Sequence, residues 1–186
     1  MNKRPEQRKR TQELIFQAFF AEYKVKPIRS ITVGAVAKRA KINRSTFYEY
    51  FCDIYDLLDQ AQDHLLGEIA SRAAELIKTP EADKAAVLPQ FGEQIISEYG
   101  ERIALLLSHG DTGFSKKLVA AMRPVIGSML SLDVEQRDTS LVISFVLSGI
   151  TGYLTTLYAT GEAFDTREAV VKLQSLMAAC LAQAHE

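Results

Sequence analysis

Residues 40–51 read A-K-I-N-R-S-T-F-Y-E-Y-F and place four aromatic residues directly after a short polar stretch. Asn43 is a favourable N-cap, so we expect a short helix to begin at Arg44. Phe47 and Phe51 are spaced one helical turn apart and supply an apolar face that can pack on the preceding helices. The polar residues of the first turn stay exposed, and the unpaired backbone N–H groups of that turn point outward with them.

A second short helix is predicted immediately upstream, in I31-T-V-G-A-V-A-K-R-A40. Thr32 is a favourable N-cap, and the apolar residues that follow recur at the spacing of one buried helix face. A break at Lys41 separates this helix from the next one. Two short helices joined by a tight turn form a helix-turn-helix.

The N-terminal residues divide into a basic segment and a helix. From Thr11 onward, apolar residues recur at three- and four-residue spacing, which predicts a helix that Pro27 terminates. Residues 1–10 are too polar to pack, and we expect a frayed arm there. The five basic residues of this arm either form a solvated tail or neutralise phosphates of a nucleic acid.

The remaining sequence predicts only helices. Glycine and proline are sparse, with 10 and 5 copies among 186 residues, and the hairpin signals Asn-Gly and Asp-Gly are absent. Pro124 is expected to kink or divide one of the predicted helices. These helices cover residues 54–77, 87–107, 114–132, 133–158 and 164–184. The sequence therefore predicts an all-α protein with three N-terminal helices and a larger C-terminal helical domain.

Charge is distributed unevenly along the chain. Residues 1–58 contain 12 Lys and Arg against 6 Asp and Glu, a net charge of +6, whereas the remaining residues carry −7. A basic N-terminal part is suited to a polyanion such as nucleic acid. The acidic remainder is not, so nucleic-acid binding is expected to be confined to the N-terminal helices.

Several other classes of protein are disfavoured by the sequence. Cys52 and Cys180 lie far apart without a CxxC pattern, which favours a reduced, cytoplasmic protein over a disulfide-stabilised one. Cys52 is expected to be a small buried residue, with a sensor of oxidants as the alternative. No apolar leader follows Met1. Metal-ligand spacing, a nucleophile elbow and a glycine-rich phosphate loop are all absent, so we expect no metal, no cofactor and no enzyme activity.

Residues 139–161 carry no charge and are long enough to span a bilayer. However, 11 of these 23 residues are Ser, Thr or Gly, which favours burial against protein over insertion into a membrane. Large apolar residues line one face of the predicted helix, and small residues line another face that permits close approach of a second copy. The alternative is a central helix of a monomeric core. The residues expected at a dimer interface are Ser144, Ser148, Gly152, Thr155 and Ala159.

Residues 31–58, ITVGAVAKRAKINRSTFYEYFCDIYDLL, resemble the DNA-binding segment of the tetracycline-repressor (TetR) family of bacterial transcriptional regulators. The similarity lies in the hydrophobic–Thr start, the Val/Ala helix, the S-T-F-Y-x-x-F core and the trailing D-x-x-x-L-L. The later helices agree with the family in number and order without a comparable motif. The resemblance implies a helix-turn-helix DNA-binding domain over residues 1–55 and a helical effector-binding and dimerisation domain over residues 56–186.

By the same resemblance, the chain is expected to bind double-stranded DNA as a homodimer at a pseudo-palindromic operator. It would act as a repressor that a small-molecule effector releases. The alternative is a DNA-bound adaptor whose C-terminal domain recruits a protein partner without an effector. Arg44, Ser45 and Thr46 are implied to face bases, and the two tyrosines to contact phosphates. The full set of residues expected at the DNA is Thr32, Lys41, Asn43, Arg44, Ser45, Thr46, Tyr48 and Tyr50.

Two positions depart from the family pattern. Lys41 stands where the family often has glycine, so a side chain is expected to tolerate a positive φ at a cost of about 1 kcal/mol. Ile54 stands where the family often has a phosphate-contacting lysine. The missing contact shifts the expected electrostatic contribution to Lys38, Arg39, Lys41 or the N-terminal arm.

Aromatic residues of the C-terminal helices are the candidates for an effector pocket. They either line such a pocket or belong to the hydrophobic core, where aromatic residues are more commonly found. The candidates are Phe91, Tyr99, Phe114 and Tyr153.

Overall fold

A computed structural model describes residues 3–78, 80–109, 112–129, 133–161 and 163–182 of the chain. Within these ranges the regular structure is helical, with no β-strand, so the predicted all-α fold is confirmed. A 3-10 turn covers Ile28–Ser30. The helices are α1 (Lys3–Tyr23), α2 (Val33–Ala40), α3 (Arg44–Tyr48), α4 (Ile54–Ile77), α5 (Glu81–Ser108), α6 (Thr112–Met129), α7 (Arg137–Ala159) and α8 (Thr166–Ala182).

The chain forms two compact units, an N-terminal unit (Met1–His64) and a C-terminal unit (Leu65–Glu186). The division lies inside α4, whereas the sequence analysis placed the domain boundary between residues 55 and 56. The first part of α4 belongs with the N-terminal unit because its apolar face is buried there, including Leu57 and Ala61. The His64 ring also stacks on Phe16, with ring centroids 4.8 Å apart.

Helix α1 begins at Lys3, so the expectation of a frayed arm is wrong for the residues from Lys3 to Arg10. The side chains of residues 5–10 are exposed, in agreement with their polarity, but their backbone is helical. Extending an existing helix adds one hydrogen bond for each ordered residue, which is far easier than starting a new helix. Pro5 is compatible with this position because the first turn needs no intrahelical N–H donors. Residues 1 and 2 lie outside the described ranges.

The core of the N-terminal unit joins α1, α2 and the segment around α3. Helix α1 packs against α2, and α2 packs against α3. Phe47 and Phe51 are buried as the sequence predicts, and their ring centroids lie 5.5 Å apart. The Phe16 ring lies 5.6 Å from the Phe51 ring. The inward face of the predicted helix-turn-helix is therefore anchored to α1 by aromatic packing.

A buried carboxylate connects α1 to α2. Glu22 accepts a hydrogen bond from Arg39 Nε at 2.7 Å and another from Lys26 Nζ at 2.9 Å. Its side chain is buried, whereas the two cationic partners are about half exposed. Arg39, which the sequence analysis considered as a phosphate contact, is therefore paired within the protein.

We expect Glu22→Gln to lower the free energy of unfolding by about 1–2 kcal/mol at pH 7, because the acceptor of both hydrogen bonds loses its negative charge. The effect is no larger because the two cationic partners are partly solvated. The bond from Lys26, followed by that from Arg39, holds the pKa of Glu22 below its ordinary value of 4.5. The stabilisation is thus present above pH 4.5 and is lost as the pH falls through the lower pKa of the folded state. Urea denaturation of both proteins across this pH range measures the difference.

The matched control for this experiment is Glu49→Gln, which changes an exposed glutamate of the same unit. This variant should retain nearly the stability of the original protein at every pH. Equal loss of stability in the two variants, or a Glu22→Gln effect that persists unchanged well below pH 4.5, would contradict the assigned role of Glu22.

The C-terminal unit is a helical bundle in which α5 packs against α6, α7 and α8. Helix α7 also packs against α6 and α8. Pro124 lies inside α6 without dividing it, so of the two expected outcomes division is wrong. Helix α5 begins at Glu81, earlier than the predicted residue 87. The predicted helix ends at Leu132 and Ala184 lie outside the described residues.

Helix α7 is the one helix in the described ranges that is long and apolar enough to cross a membrane. Only 22% of its most apolar stretch of 18 residues is buried within the chain. Core helices of soluble proteins pass the same test of length and composition. The residues of α7 that face the core are Ile143, Val146, Leu147, Thr151 and Leu154.

Candidate nucleic-acid interface and C-terminal cavity

Thr32 occupies the N-cap of α2, as the sequence predicts. Its Oγ1 accepts a hydrogen bond from the backbone N–H of Ala35 at 3.2 Å, and the residue is exposed. The cap satisfies one of the free N–H groups of the first turn and leaves others available to a phosphate. Helix N-termini also carry a partial positive charge that favours anions.

Lys41 forms the turn between α2 and α3 in a left-handed conformation, with φ 56° and ψ 42°. The turn is a Schellman motif, in which Ile42 N–H donates to the carbonyl of Ala37 at 3.0 Å and Lys41 N–H donates to that of Lys38 at 3.3 Å. Lys41 is the one non-glycine residue of the described ranges with a positive φ. The expectation drawn from the missing glycine is therefore confirmed, and the Lys41 side chain is exposed.

Lys41→Gly is expected to raise the free energy of unfolding by about 0.5–1 kcal/mol, because glycine removes the steric cost of the left-handed conformation. The larger conformational entropy of glycine in the unfolded chain offsets part of this gain. The same change should weaken DNA binding because it removes a cation from the turn. Denaturation and DNA titration measure the two effects separately. Lys41→Asn is the matched control for charge, since asparagine also tolerates this conformation. A Lys41→Gly protein less stable than the original would contradict the prediction.

The first turn of α3 brings together the predicted base-reading residues. Arg44 and Ser45 are exposed and Thr46 is half-buried. Asn43 occupies the N-cap with extended backbone, and Phe47 N–H donates to its carbonyl at 3.2 Å. The Asn43 side chain makes no capping hydrogen bond, so its role as the capping group is not realised. Its amide is instead available beside Arg44 on the same exposed turn.

The Arg44 guanidinium lies against the first turn of α2 at Gly34. A Cβ atom built on Gly34 would lie 2.5 Å from Arg44 Nη2 and 3.1 Å from Arg44 Cζ. Glycine therefore leaves the space that this side chain occupies. The arrangement places the guanidinium beside the exposed N-terminal end of α2, where Thr32 lies. The two predicted elements of the site are thus adjacent.

The two tyrosines that follow have different environments. Tyr48 is exposed, and its ring packs edge-on against Phe47 with centroids 5.6 Å apart. Tyr50 is half-buried, and the guanidinium of Arg8 lies 5.3 Å from its ring centroid. Such a contact attracts the cation to the face of the ring. It connects the basic first part of α1 with the segment after α3.

A polar cleft of about 370 Å³ lies at this connection in the N-terminal unit. Sequence reasoning did not identify Arg8 individually, because no local pattern relates residue 8 to residue 50. The helical state of residues 5–10 was the missing information. The residues lining the cleft are Gln7, Arg8, Thr11, Thr46, Glu49 and Tyr50.

Two further positions near the helix-turn-helix, Ile54 and Cys52, differ in their burial. Ile54 is buried at the start of α4, so this position serves the core. Cys52 is exposed, which corrects the expectation that it is a small buried residue. Its backbone N–H donates to Asp56 Oδ2 at 2.7 Å, so the turn before α4 holds the cysteine at the surface.

The predicted small-residue face of α7 is open in the protomer. Ser148, Gly152 and Ala159 are exposed, whereas Ser144 and Thr155 are half-buried. A Cβ atom added at Gly152 would meet nothing within 4 Å. The hydroxyls of Ser144, Ser148, Thr155 and Thr156 each donate to the carbonyl four residues earlier, at 2.8–2.9 Å. Because these hydroxyl protons are already bonded, the face offers a less polar surface than its composition indicates.

Large apolar side chains are exposed on α7 and on the next helix, α8. Leu141 and Phe145 lie one turn apart on α7, and Phe145 is 68% exposed. Val171 and Leu176 are exposed on α8, which packs against α7. Leu141 and Phe145 lie on the same side of α7 as Ser148 and Gly152, and contiguous exposed apolar residues commonly mark a protein interface. We call these four residues with Ser148 and Gly152 the α7/α8 face.

The C-terminal unit contains a cavity of about 230 Å³, which we call the C-terminal cavity. Its wall is mainly aliphatic and includes residues of α4, α5, α6, α7 and α8. Among the described residues that line it, only Thr151 and Gln174 have polar side chains. The lining residues are Ile69, Ala73, Phe91, Gly92, Ile95, Ile96, Ile103, Leu118, Met122, Val125, Ile126, Leu147, Ile150, Thr151, Leu154, Val170, Leu173 and Gln174.

Of the four aromatic residues considered for an effector pocket, only Phe91 lines this cavity. Phe114 is fully buried in the core and Tyr153 is half-buried elsewhere on α7. Tyr99 is buried and accepts a hydrogen bond from Arg72 Nε at 2.9 Å, while burial raises the pKa of its phenol. The sequence could not distinguish these cases, because aliphatic residues that line a cavity follow the same helical periodicity as those that fill a core.

No protein-family model matches the chain. Its structure is similar to that of a tetR-family transcriptional regulator from Streptomyces coelicolor, with a TM-score of 0.72 and 18% identity, covering 95% of this chain and 82% of that one. It is also similar to the fatty acid degradation regulator FadR from Bacillus halodurans, with a TM-score of 0.69, 16% identity and coverages of 90% and 94%. For the dihydroxyacetone kinase operon activator DhaS, the TM-score is 0.60, the identity 18% and the coverages 94% and 96%. Similarities at these identities show a shared fold.

One curated protein matches in sequence, the 5'-3' exoribonuclease 2 of Yarrowia lipolytica. The match is 28% identical over 116 residues and covers 61% of this chain. It covers 11% of the exoribonuclease, so the chain spans about a tenth of the curated relative that it matches.

Proposed function

The chain has the TetR-type regulator fold, and on that premise we propose that it is a cytoplasmic, DNA-binding transcriptional regulator that acts as a homodimeric repressor. The observation that carries the proposal is the exposed first turn of α3, where Arg44, Ser45 and Thr46 stand on a helix-turn-helix whose other face is buried. This division into a packed face and a polar end is what insertion into a major groove requires.

Within this proposal, DNA contacts divide into positioning and reading. The N-terminal end of α2 at Thr32, the Lys41 side chain and the two tyrosines contact phosphates and set the orientation of the domain. Arg8 adds a cation beside Tyr50, in place of the lysine that is missing at position 54. Arg44, with its planar fork of donors, reads a guanine or another base edge in the major groove.

The proposed dimer uses the α7/α8 face as a symmetric interface. In a twofold dimer the same surface of each protomer meets its copy, so one apolar face is sufficient. Gly152 and Ser148 permit close approach of the two α7 helices, while Phe145 and Leu141 supply the apolar area. Two α3 helices related by the same axis would read the two halves of a pseudo-palindromic operator.

The C-terminal cavity is the proposed effector site. A ligand that binds more tightly to a protomer conformation with unsuitable spacing of the two α3 helices would lower DNA affinity by population shift. The cavity supports this sensor over the adaptor alternative, in which the acidic C-terminal domain recruits a protein and needs no internal space. The adaptor becomes the better description if the α7/α8 face binds a different protein.

Neither version of the proposal includes a catalytic step. The exoribonuclease match covers about a tenth of that enzyme, and its activity is therefore not transferred to this chain.

Selection from a random pool of DNA duplexes by the purified protein tests the proposed function. We expect enrichment of a pseudo-palindrome and a steep loss of affinity as salt is raised, because phosphate contacts release counterions. Binding that is weak, salt-sensitive and without a consensus sequence would overturn the specific regulator. The N-terminal unit would then be a nonspecific DNA anchor, and the partner of the acidic domain would define the function.

A further inference from the structure

The chemistry of the C-terminal cavity wall restricts what can bind there. Its wall contains no Lys, Arg, His, Asp or Glu among the residues that the structure describes. An ionised group placed inside would lose its hydration without gaining a charged partner, and this is strongly unfavourable. The wall therefore selects against carboxylates and ammonium groups.

The size of the cavity restricts the ligand further. At about 230 Å³ it is larger than a cavity of roughly 150 Å³, which admits benzene, and smaller than the roughly 300 Å³ at which pockets for drug-sized ligands begin. Scaling from benzene gives a ligand of roughly nine non-hydrogen atoms.

The two polar side chains of the wall differ in what they can offer. The Thr151 hydroxyl donates to the carbonyl of Ser148 at 2.9 Å, so its proton is already used within α7. Gln174 is half-buried, and its amide has no hydrogen-bond partner within the part of the chain that the structure describes. Its Nε2 would lie 3.7 Å from a Cβ atom built on Gly92, which places the amide beside the α5 wall.

We propose that the C-terminal cavity binds an uncharged, mainly hydrocarbon molecule of roughly nine non-hydrogen atoms, with one polar group that hydrogen-bonds to Gln174. An amide can donate to a ketone or ester oxygen and accept from a hydroxyl, so any of these groups satisfies it. The apolar wall contributes most of the affinity, and Gln174 orients the ligand. This inference rests on the proposed role of the cavity as an effector site and specifies its ligand class.

Titration calorimetry of the 186-residue chain with four probes matched in size tests the inference. The probes are 2-octanone, nonane, heptanoate and octylammonium. At neutral pH we expect 2-octanone to bind at least about 100-fold more tightly than either ion, because only the ions must bury an unpaired charge. Equal or tighter binding of heptanoate or octylammonium, or failure of 2-octanone and nonane to bind, would overturn the proposal.

Three variants locate the binding and its polar contact. Ile126→Phe adds bulk to a lining residue and should abolish binding of 2-octanone, with Val125→Phe as a second filling variant if the first does not fold. Leu105→Phe is the matched control, since Leu105 is half-buried on α5 and does not line the cavity. Gln174→Leu should weaken 2-octanone roughly fivefold and leave nonane unchanged. Binding that survives both filling variants, or equal effects of Gln174→Leu on both probes, would contradict the assignment.

DNA affinity measured with and without 2-octanone separates this inference from the proposed function. If the ketone binds as expected but operator affinity is unchanged, the ligand class stands and effector release is wrong. If operator binding is specific but none of the uncharged probes binds, the proposed DNA-binding role stands and the ligand class is wrong.

Discussion

Phe145→Asp is expected to convert the proposed dimer to a monomer. Phe145 is largely exposed in the protomer and lies one turn from the exposed Leu141 on the α7/α8 face. In a twofold interface every substitution acts twice, and loss of an aromatic anchor commonly costs about 2 kcal/mol or more for each copy. Two copies predict a dimer dissociation constant that is raised by about a thousandfold. Sedimentation equilibrium over a range of protein concentrations measures this constant.

The effect of Phe145→Asp should be specific to the α7/α8 face. Tyr55→Asp is the matched control, because Tyr55 is an exposed aromatic residue of the first turn of α4, where an acidic side chain is favourable. This control should remain a dimer. A dimer of unchanged strength in Phe145→Asp would show that Phe145 does not belong to the interface.

Loss of the dimer should carry over to DNA binding. A monomer presents a single α3 to the operator and loses the contacts of the other half-site, so affinity should fall sharply at protein concentrations below the new dissociation constant. The fraction of operator that is bound should recover as the protein concentration is raised above the new dissociation constant, because mass action restores the dimer. An operator affinity that is independent of the dimer would argue for binding as a monomer.

Arg44→Ala is expected to weaken operator binding by about 5- to 150-fold for each half-site, which corresponds to loss of one bidentate base contact of about 1–3 kcal/mol. The side chain is exposed and lies against Gly34 outside the buried core, so helicity should stay the same and the unfolding free energy should change by no more than about 0.5 kcal/mol. Arg44→Lys keeps the charge but loses the planar fork, and should relax specificity at one base pair while retaining most salt dependence. Titration of variant operators at two salt concentrations measures both quantities.

The control for Arg44 is Arg29→Ala, which removes an exposed arginine from the 3-10 turn of the same unit. Any change in the DNA affinity of Arg29→Ala should be equal for all DNA sequences. Unaltered operator affinity in Arg44→Ala, or an equal and sequence-independent loss in both variants, would remove Arg44 from the base-reading set.

Local patterns predicted the elements of the N-terminal unit well. The Thr32 cap and the burial of Phe47 and Phe51 depend on neighbours within a few residues, where the geometry of a helix is known in advance. The positive φ of Lys41 was expected from the resemblance to the family, which often has glycine at this position. The error at residues 3–10 has the opposite origin. Polarity indicates that a segment does not pack, but an exposed segment can still be helical when it extends a helix whose packed part lies further along the chain.

Local sequence patterns did not predict the contacts between residues that are distant in the sequence. The Glu22–Arg39 bond and the Arg8–Tyr50 contact each join residues whose proximity depends on how whole helices pack. The first of these changes a functional expectation, since Arg39 is paired within the protein. The second adds a cation to the proposed interface that the missing lysine at position 54 had left incomplete.

The sequence by itself determined the all-α class, the helix-turn-helix with its exposed polar turn and the apolar, uncharged helix α7. Each of these follows from spacing along one helix, which repeats every few residues and needs no partner to be recognised. Only the tertiary structure decided which face of α7 stays open and which side chains line the C-terminal cavity. Five helices contribute to that cavity, and whether an apolar residue fills the core or borders a space depends on how closely those helices approach one another.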